Sequence, residues 1–349
     1  MQLKNMLRYK MNWARPTGPD HEVALSSRIR IARNLADHLF PQRADKKGLK
    51  AVLSAAFKAS EKSKALGKAA RIRLDAVDPL DRLFLVERHL VSNLLASVPH
   101  ERGVVVGDGE VLSLMANEED HLRLQGIDSG LCLESLLGAV GRLDDELAAE
   151  LKPAFDSKWG YLASCPTNTG TGLRASCLVH LPGLALTGEI NRVLDGLSRL
   201  GVVARGLYGE GTKVMGDFYQ ISNAAALGPP EEEIAAGITH VVQSLISREK
   251  GARKSLLSGQ KTRFEDLVYR SHGVLSSARM ISFEETMQHL SYVRMGTAMG
   301  LKLGTDLKTI NELLVLIRPA HIQMLADKEL PAGERDFLRA TLLRRKFKA

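Results

Sequence analysis

The stretch SSRIRIAR, Ser26–Arg33, alternates basic and branched apolar residues. Successive side chains of a strand point to opposite faces, so Arg28 and Arg30 share one face and Ile29 and Ile31 the other. The isoleucines predict a buried face, leaving the arginines on a working face. Two guanidinium groups side by side repel unless an anion sits between them, and a triphosphate is such an anion. The residues alone also allow a solvated basic edge strand.

The rest of the chain sets the scale. Its 349 residues, 44% of them hydrophobic, can bury one large core or two unequal ones, and aromatics at 5% make the cores mostly aliphatic. A net charge of +8 suits anionic partners without choosing among them. There is no zinc-finger spacing and no long basic block, so no direct nucleic-acid contact is expected. Cys132, Cys165 and Cys177 are an odd set that does not make a disulfide framework. The first twenty residues have no long apolar segment, and no run of uncharged apolar residues reaches the length of a membrane span. A cytoplasmic protein is expected.

Local patterns predict an α+β chain. Residues 1–20 read as a helix-prone arm ended by Pro16, Gly18 and Pro19. GLKAVLSAAFKASEKS has helical spacing, and DRLFLVERHLVSNLLA reads as a short strand or helix leading into a helix. RGVVVGDG is a strand ending in a turn, and VLSLMANEEDHLRLQGI after it is a hairpin. Two helices are expected in LCLESLLGAVGRLDDELAAEL, a strand in YLAS, a helix in INRVLDGLSRLGV, and a hairpin with a large loop in RGLYGEGTKVMGDFYQISN. PPEEEIAAGITHVVQSLISREKGARKSLL starts acidic and ends basic, the order that suits a helix dipole. From about Lys261 helical periods dominate. The expected division is an arm at 1–20, a catalytic domain at 21–255 and a helical domain at 256–349.

Three further short constellations could carry chemistry. CPTNTGTGLR, Cys165–Arg174, joins a thiol, threonine hydroxyls, Gly170, Gly172 and an arginine: an anion cradle, or plain turn punctuation. NEEDHLR holds Glu118, Glu119, Asp120, His121 and Arg123, either a charged turn or a carboxylate whose neighbours set its field; no third and fourth ligand supports zinc at His121. RGLYGEG places Arg205 and Glu210 among glycines, a loop tip or a mobile carboxylate. His89 reads as a half-buried histidine, and Cys132 and Cys177 as packing residues.

In that order, SSRIRIARN, NEEDHLR, CPTNTGTGLRAS and RGLYGEG with QISNAAALG resemble the guanidino (phosphagen) kinases, and within them the bacterial protein arginine kinases. The stretch begins almost directly at these motifs, without the separate N-terminal helical domain of the small-guanidine kinases. It also carries RDFLRA, Arg335–Ala340, similar to the subfamily's phosphoarginine-sensing element. The resemblance implies a curved, mainly antiparallel sheet flanked by helices with a C-terminal all-helical domain. It implies ATP with Mg2+ held mainly through the nucleotide phosphates, and no protein metal site. It puts Ser27, Arg28, Arg30, His89, Arg123, Arg174 and Arg205 around the nucleotide, with His89 on the base side. Glu119 and Glu210 become the carboxylates facing the acceptor guanidinium, Glu119 taking the proton, and Cys165 the thiol beside it. Arg335, Asp336 and Arg339 would hold phosphoarginine. Implied partners are proteins with accessible arginines, a heat-shock repressor, a Clp-type ATPase or protease, an activator protein and a second copy of the chain. Two departures stand out: Leu178 where many members have histidine, with His180 two places on, and Gln220 where many have aspartate. A kinase of free small guanidino compounds and a non-catalytic basic regulatory protein are the rival expectations.

Overall fold

A computed structural model describes residues 3–8, 11–206 and 214–347. Ten strands are described: β1 (Ala24–Arg33), β2 (Ala70–Arg73), β3 (Gly103–Val106), β4 (Leu112–Ala116), β5 (Leu122–Ser129), β6 (Phe155–Asp156), β7 (Gly160–Tyr161), β8 (Leu173–His180), β9 (Val202–Gly206) and β10 (Phe218–Asn223). Eight of them form one sheet in the order β2-β3-β4-β5-β1-β8-β10-β9, antiparallel at every pairing, while β6 and β7 make a small separate hairpin. β1 is therefore a central strand with neighbours on both sides, which excludes the edge-strand reading.

The helices are α1 (Lys46–Lys62), α2 (Pro79–Glu87), α3 (Asn93–Ser97), α4 (Leu133–Ala148), α5 (Pro182–Leu186), α6 (Ile190–Arg199), α7 (Glu231–Gly259), α8 (Lys261–Ser277), α9 (Phe283–Ala298), α10 (Leu307–Leu316), α11 (Pro319–Ala326) and α12 (Ala332–Phe347). Alternation along the strands sorts their packing. Ile29, Ile31, Leu124, Ala175 and Cys177 face a core shared with Val52, Leu136, Val140, Ile238 and Val242 of α1, α4 and α7. The opposite face is covered in two places. Met115 and Val104 pack with Phe84 and Leu85 of α2 and with Ala320 and Met324 of α11. Leu25, Ile127, Leu178 and Phe218 pack under the C-terminal helices with Leu290, Leu313 and Leu343. Between these two covers the face stays open, and the cleft lies there.

Several expectations change. Residues 133–148 form one helix, not two, because the stripe Leu133, Leu136, Leu137, Val140, Leu143, Leu147 is buried as a unit while a side chain at Gly141 would meet open space. YLAS contributes only Tyr161 to a strand. The N-terminal segment is more than an arm, since Met11 and Trp13 are buried in the core of the C-terminal helices. The division placed at 255/256 falls inside α7, which runs to Gly259. Leu178, at the departure from the family's histidine, is core, and His180 accepts no ligand role: its ring lies against Phe218, 2.8 Å from Ser291 Oγ and 3.0 Å from an Arg294 nitrogen. No helix among the described residues is long and apolar enough to cross a membrane.

Asp217, at the start of β10, provides a pH test of the fold. Burial, with Glu249 nearby, pushes its carboxyl up to about 6. A folded value above the ordinary one favours the neutral form, so the stabilisation is present below about pH 4 and lost as pH rises through about 6. Asp217→Asn keeps the neutral shape and tolerates the residue's φ of 57°. It is expected to add about 1–2 kcal/mol at about pH 8, a few degrees in Tm, and almost nothing near pH 4. Thermal melts at both pH values check this; an equal shift at both would refute it.

Candidate active site

The open part of the sheet face forms a cleft of about 730 Å3. It is lined by Arg28, Arg30, His89, Glu119, Arg123, Cys165, Arg174 and Arg205, together with Gln125, Gln220 and the Val91–Leu94 segment. Strand register explains the assembly. Arg30 of β1 sits opposite Arg174 of β8 and Gln125 of β5, and Ala32 sits opposite Arg123. Arg205 of β9 pairs with Gln220 of β10. Residues nearly 180 positions apart thus share one face through period-2 alternation in adjacent strands.

Like charges directly across a strand pair destabilise it. Burial first, then Arg174 and Arg123, lowers the Arg28 guanidinium to about 10, and Arg30 is pushed down by burial and then by Arg28. At about 10, Arg28 stays protonated near neutrality. The Nε atoms of Arg28 and Arg30 are buried with no hydrogen-bond partner among the described residues. Buried donors of this kind call for an acceptor, and a triphosphate supplies several. The cleft therefore fits the phosphates of a nucleotide. Among the described residues no three His, Cys, Asp or Glu side chains group as a metal cage.

Glu119 sits at the turn between β4 and β5. Burial raises its carboxyl above the ordinary glutamate range, opposed by Arg123 and reinforced by Asp120 and Glu118. Arg123 reaches Glu119 at 3.4 Å but bonds Glu118 Oε1 more closely, at 2.6 Å. Glu118 is buried and is the main partner of Arg123, a role its sequence position did not reveal. The turn is fixed from behind. Asn34 donates to Asp120 Oδ1 at 2.6 Å and accepts from the His121 amide at 2.9 Å, and Asp120 Oδ1 also accepts from the Ser164 amide at 2.7 Å. Asp120 thereby ties the Glu119 turn to the segment leading into Cys165. His121 is not a metal ligand: Nδ1 accepts from the Leu35 amide, so Nε2–H donates to the Leu39 carbonyl.

The Cys165–Arg174 loop is pinned to protein. Cys165 Sγ lies 3.0 Å from Thr167 Oγ1. Thr171 and Ala226 bond through backbone and hydroxyl, and Tyr161 pairs with Gly170. Gly170 and Gly172 have φ of 110° and 69°, and a Cβ would fall 2.6 Å from the Ala226 carbonyl or 2.5 Å from that of Ala32. These glycines permit close approach of the loop to neighbouring backbone rather than to a ligand, correcting the cradle reading for them. Arg174, beyond them, donates to Ser222 Oγ at 2.9 Å.

Other placements depart from expectation. Ser27 faces away from the cleft, on the isoleucine side, donating to the Gly130 carbonyl at 2.8 Å and accepting from the Cys132 amide. Neighbours on a strand point oppositely, so it cannot join Arg28 and Arg30. Glu210 lies outside the described residues. Arg335 and Arg339 do not form an open clasp. Arg339 is buried, donating to the carbonyls of Ile317 (2.8 Å) and Ile281 (2.9 Å) and to Asp336, while half-buried Arg335 donates to the Leu330 carbonyl. Gln125, missed from the sequence, donates to the His89 carbonyl at 2.7 Å; its signal is its position two residues after Arg123 on the same strand face.

Comparison with known proteins places the chain. Residues 50–252 match the ATP:guanido phosphotransferase C-terminal catalytic domain, and residues 261–349 the protein-arginine kinase McsB C-terminal domain. The protein-arginine kinase of Halothermothrix orenii is 44% identical over 345 residues, covering 99% of both chains. That of Symbiobacterium thermophilum is also 44% identical over 345 residues, covering 98% of both. Among solved structures, lombricine kinase superposes with a TM-score of 0.61 at 26% identity, covering 69% of each chain. The duplicated taurocyamine kinase of Schistosoma mansoni, with transition-state analogue components bound, gives 0.62 at 26% identity over 67% of this chain and 34% of that one, so this chain spans about a third of its length. The chain belongs to the ATP:guanido phosphotransferases, in the branch of the protein-arginine kinases.

Proposed function

We propose that this protein transfers the γ-phosphoryl group of ATP to the guanidinium group of arginine side chains in proteins. The observation that carries the reading is a cleft lined both by the buried Nε donors of Arg28 and Arg30, which have no partner among the described residues, and by a carboxylate of raised proton affinity. Arg28, Arg30, Arg123, Arg174 and Arg205 hold the phosphates straight and compensate charge on the equatorial oxygens during in-line transfer. His89, kept neutral by burial and the nearby Arg318, Arg28 and Arg30 charges, contacts the base side of the nucleotide. Mg2+ bound with the nucleotide would be held mainly by its phosphate oxygens and would supply charge neutralisation on the leaving group.

Arginine is a poor nucleophile while fully protonated. Glu119 accepts a proton from the attacking nitrogen as its lone pair forms the N–P bond, the bond from phosphorus to the bridging oxygen breaks, and ADP leaves. Cys165 lies beside the acceptor, and the role of second acceptor-facing carboxylate falls to Glu210, which lies outside the described residues. Asp336 and Arg335 are the surface groups of the C-terminal motif able to meet a phosphoarginine, with Arg339 holding Asp336 from behind. A heat-shock repressor, a Clp-type ATPase, an activator, a homodimer and a cytoplasmic setting complete the same proposal.

The test is mass spectrometry, without acid handling, of an unfolded protein and of free arginine after incubation with ATP and the kinase. Phosphate on arginine side chains is expected. Labelling of the free amino acid alone would refute a protein acceptor, and labelling of serine or threonine would refute the chemistry.

A further inference from the structure

The residue proposed to meet the base, His89, has a φ of 63°. For a residue other than glycine this left-handed conformation costs about 1–2 kcal/mol and persists only where the surroundings impose it. Part of the restraint is local: the His89 amide donates to the Val86 carbonyl at 2.9 Å, and its carbonyl accepts from Gln125.

The rest comes from the far end of the chain. Glu87, the last residue of α2, is buried against α11. Its carboxylate accepts from the amides of Ala320 (2.8 Å) and His321 (3.0 Å) and from His321 Nδ1 (2.7 Å). A helix leaves its first amides unpaired, and Pro319 at the first position of α11 has none to offer. Glu87 therefore fills the cap of α11 from 233 residues away. In return Arg318, almost wholly buried, donates to the Glu87 carbonyl and to the Leu314 carbonyl. The preceding residue is fixed as well, since Arg339 Nε donates to the Ile317 carbonyl.

We propose that Glu87 and Arg318 are positioning residues for His89, which makes the C-terminal helical region a built part of the nucleotide site. The inference rests on the reading of His89 as a nucleotide contact. A purely mechanical staple between α2 and α11 would lower stability when cut but would not act through His89.

Trp13 supplies a reporter: its buried ring meets the His89 ring edge-on at 5.2 Å, whereas Trp159, the second tryptophan of the chain, is exposed. In a Trp159→Phe background, ATP titrations read by fluorescence are paired with steady-state kinetics on a protein substrate for Glu87→Gln, Arg318→Lys, His89→Ala and the doubles. Glu87→Gln and Arg318→Lys are each expected to raise the KM for ATP about tenfold, with kcat and the KM for the protein substrate within about twofold. His89→Ala should raise the KM for ATP at least as far, and adding either positioning variant to it should raise it no further, the non-additivity of residues acting through one group. An unchanged KM for ATP in His89→Ala would refute the nucleotide reading of that residue. A clear effect of His89→Ala with none from the positioning variants, or with effects that add, would refute the positioning role alone. If Glu87→Gln fails to fold by thermal melt, Arg318→Lys, which keeps the charge, carries the same cycle.

Discussion

Glu119→Gln is expected to lower kcat by about 10²–10⁴-fold, the usual worth of a positioned general base, while the KM for ATP changes by less than about threefold. Glutamine keeps the size of the side chain but cannot take a proton. Because burial raises the Glu119 carboxyl, the wild-type rate should fall with decreasing pH at a higher pH than an ordinary glutamate would give: the base works only above its own pKa. The variant should lose that acid limb from its residual rate. Steady-state kinetics across pH, with ATP and a protein substrate, measure both features. An acid limb that survives the substitution would assign the titration to another group and remove Glu119 as the proton acceptor.

Arg30→Met should separate activity from stability. Arg30 faces Arg174 across the β1–β8 pair and stands two residues from Arg28, with its Nε buried and without a partner among the described residues. Methionine retains much of the aliphatic length and removes the charge. Transition-state arginines in phosphoryl transfer are worth about 10³–10⁵-fold, so kcat/KM for ATP should fall by about 10³-fold. The nucleotide-free protein should nevertheless melt a few degrees higher, because relieving repulsion among half-buried like charges outweighs the loss of a side chain with no anion to bind. Ligand that binds only the folded state raises Tm, and the ATP-dependent part of that rise should shrink or disappear in the variant. Melts with and without ATP decide the matter. A lower Tm without nucleotide would mean that protein partners already satisfy Arg30, which would undo the argument from unpaired donors.

Much of this was legible in the chain, because it depends on periodicity. The arginine–isoleucine alternation of residues 28–31 required one buried and one working face, and the acidic turn at Glu119 followed from the hairpin around it. The long helix from Glu231 followed from its prolines and acidic start, while its last turn holds no basic residue. Where pattern failed, tertiary burial prevailed over local propensity. Two helices were expected where α4 is one: a continuous leucine and valine stripe packed on the sheet keeps it whole across Gly138 and Gly141, at about 1 kcal/mol per glycine.

What only the tertiary structure decided is where polar side chains find their partners. Arg339 and Arg335 look equivalent as neighbours one helical turn apart. The carbonyls of Ile281 and Ile317, brought in from other elements, draw one of them inward. Glu87 carries no signal in its own segment, since the amides it caps belong to a helix that begins at Pro319. Periodicity assigns a face to each side chain, but a hydrogen bond needs a partner within about 3 Å, and for groups hundreds of residues apart the folded arrangement alone supplies it.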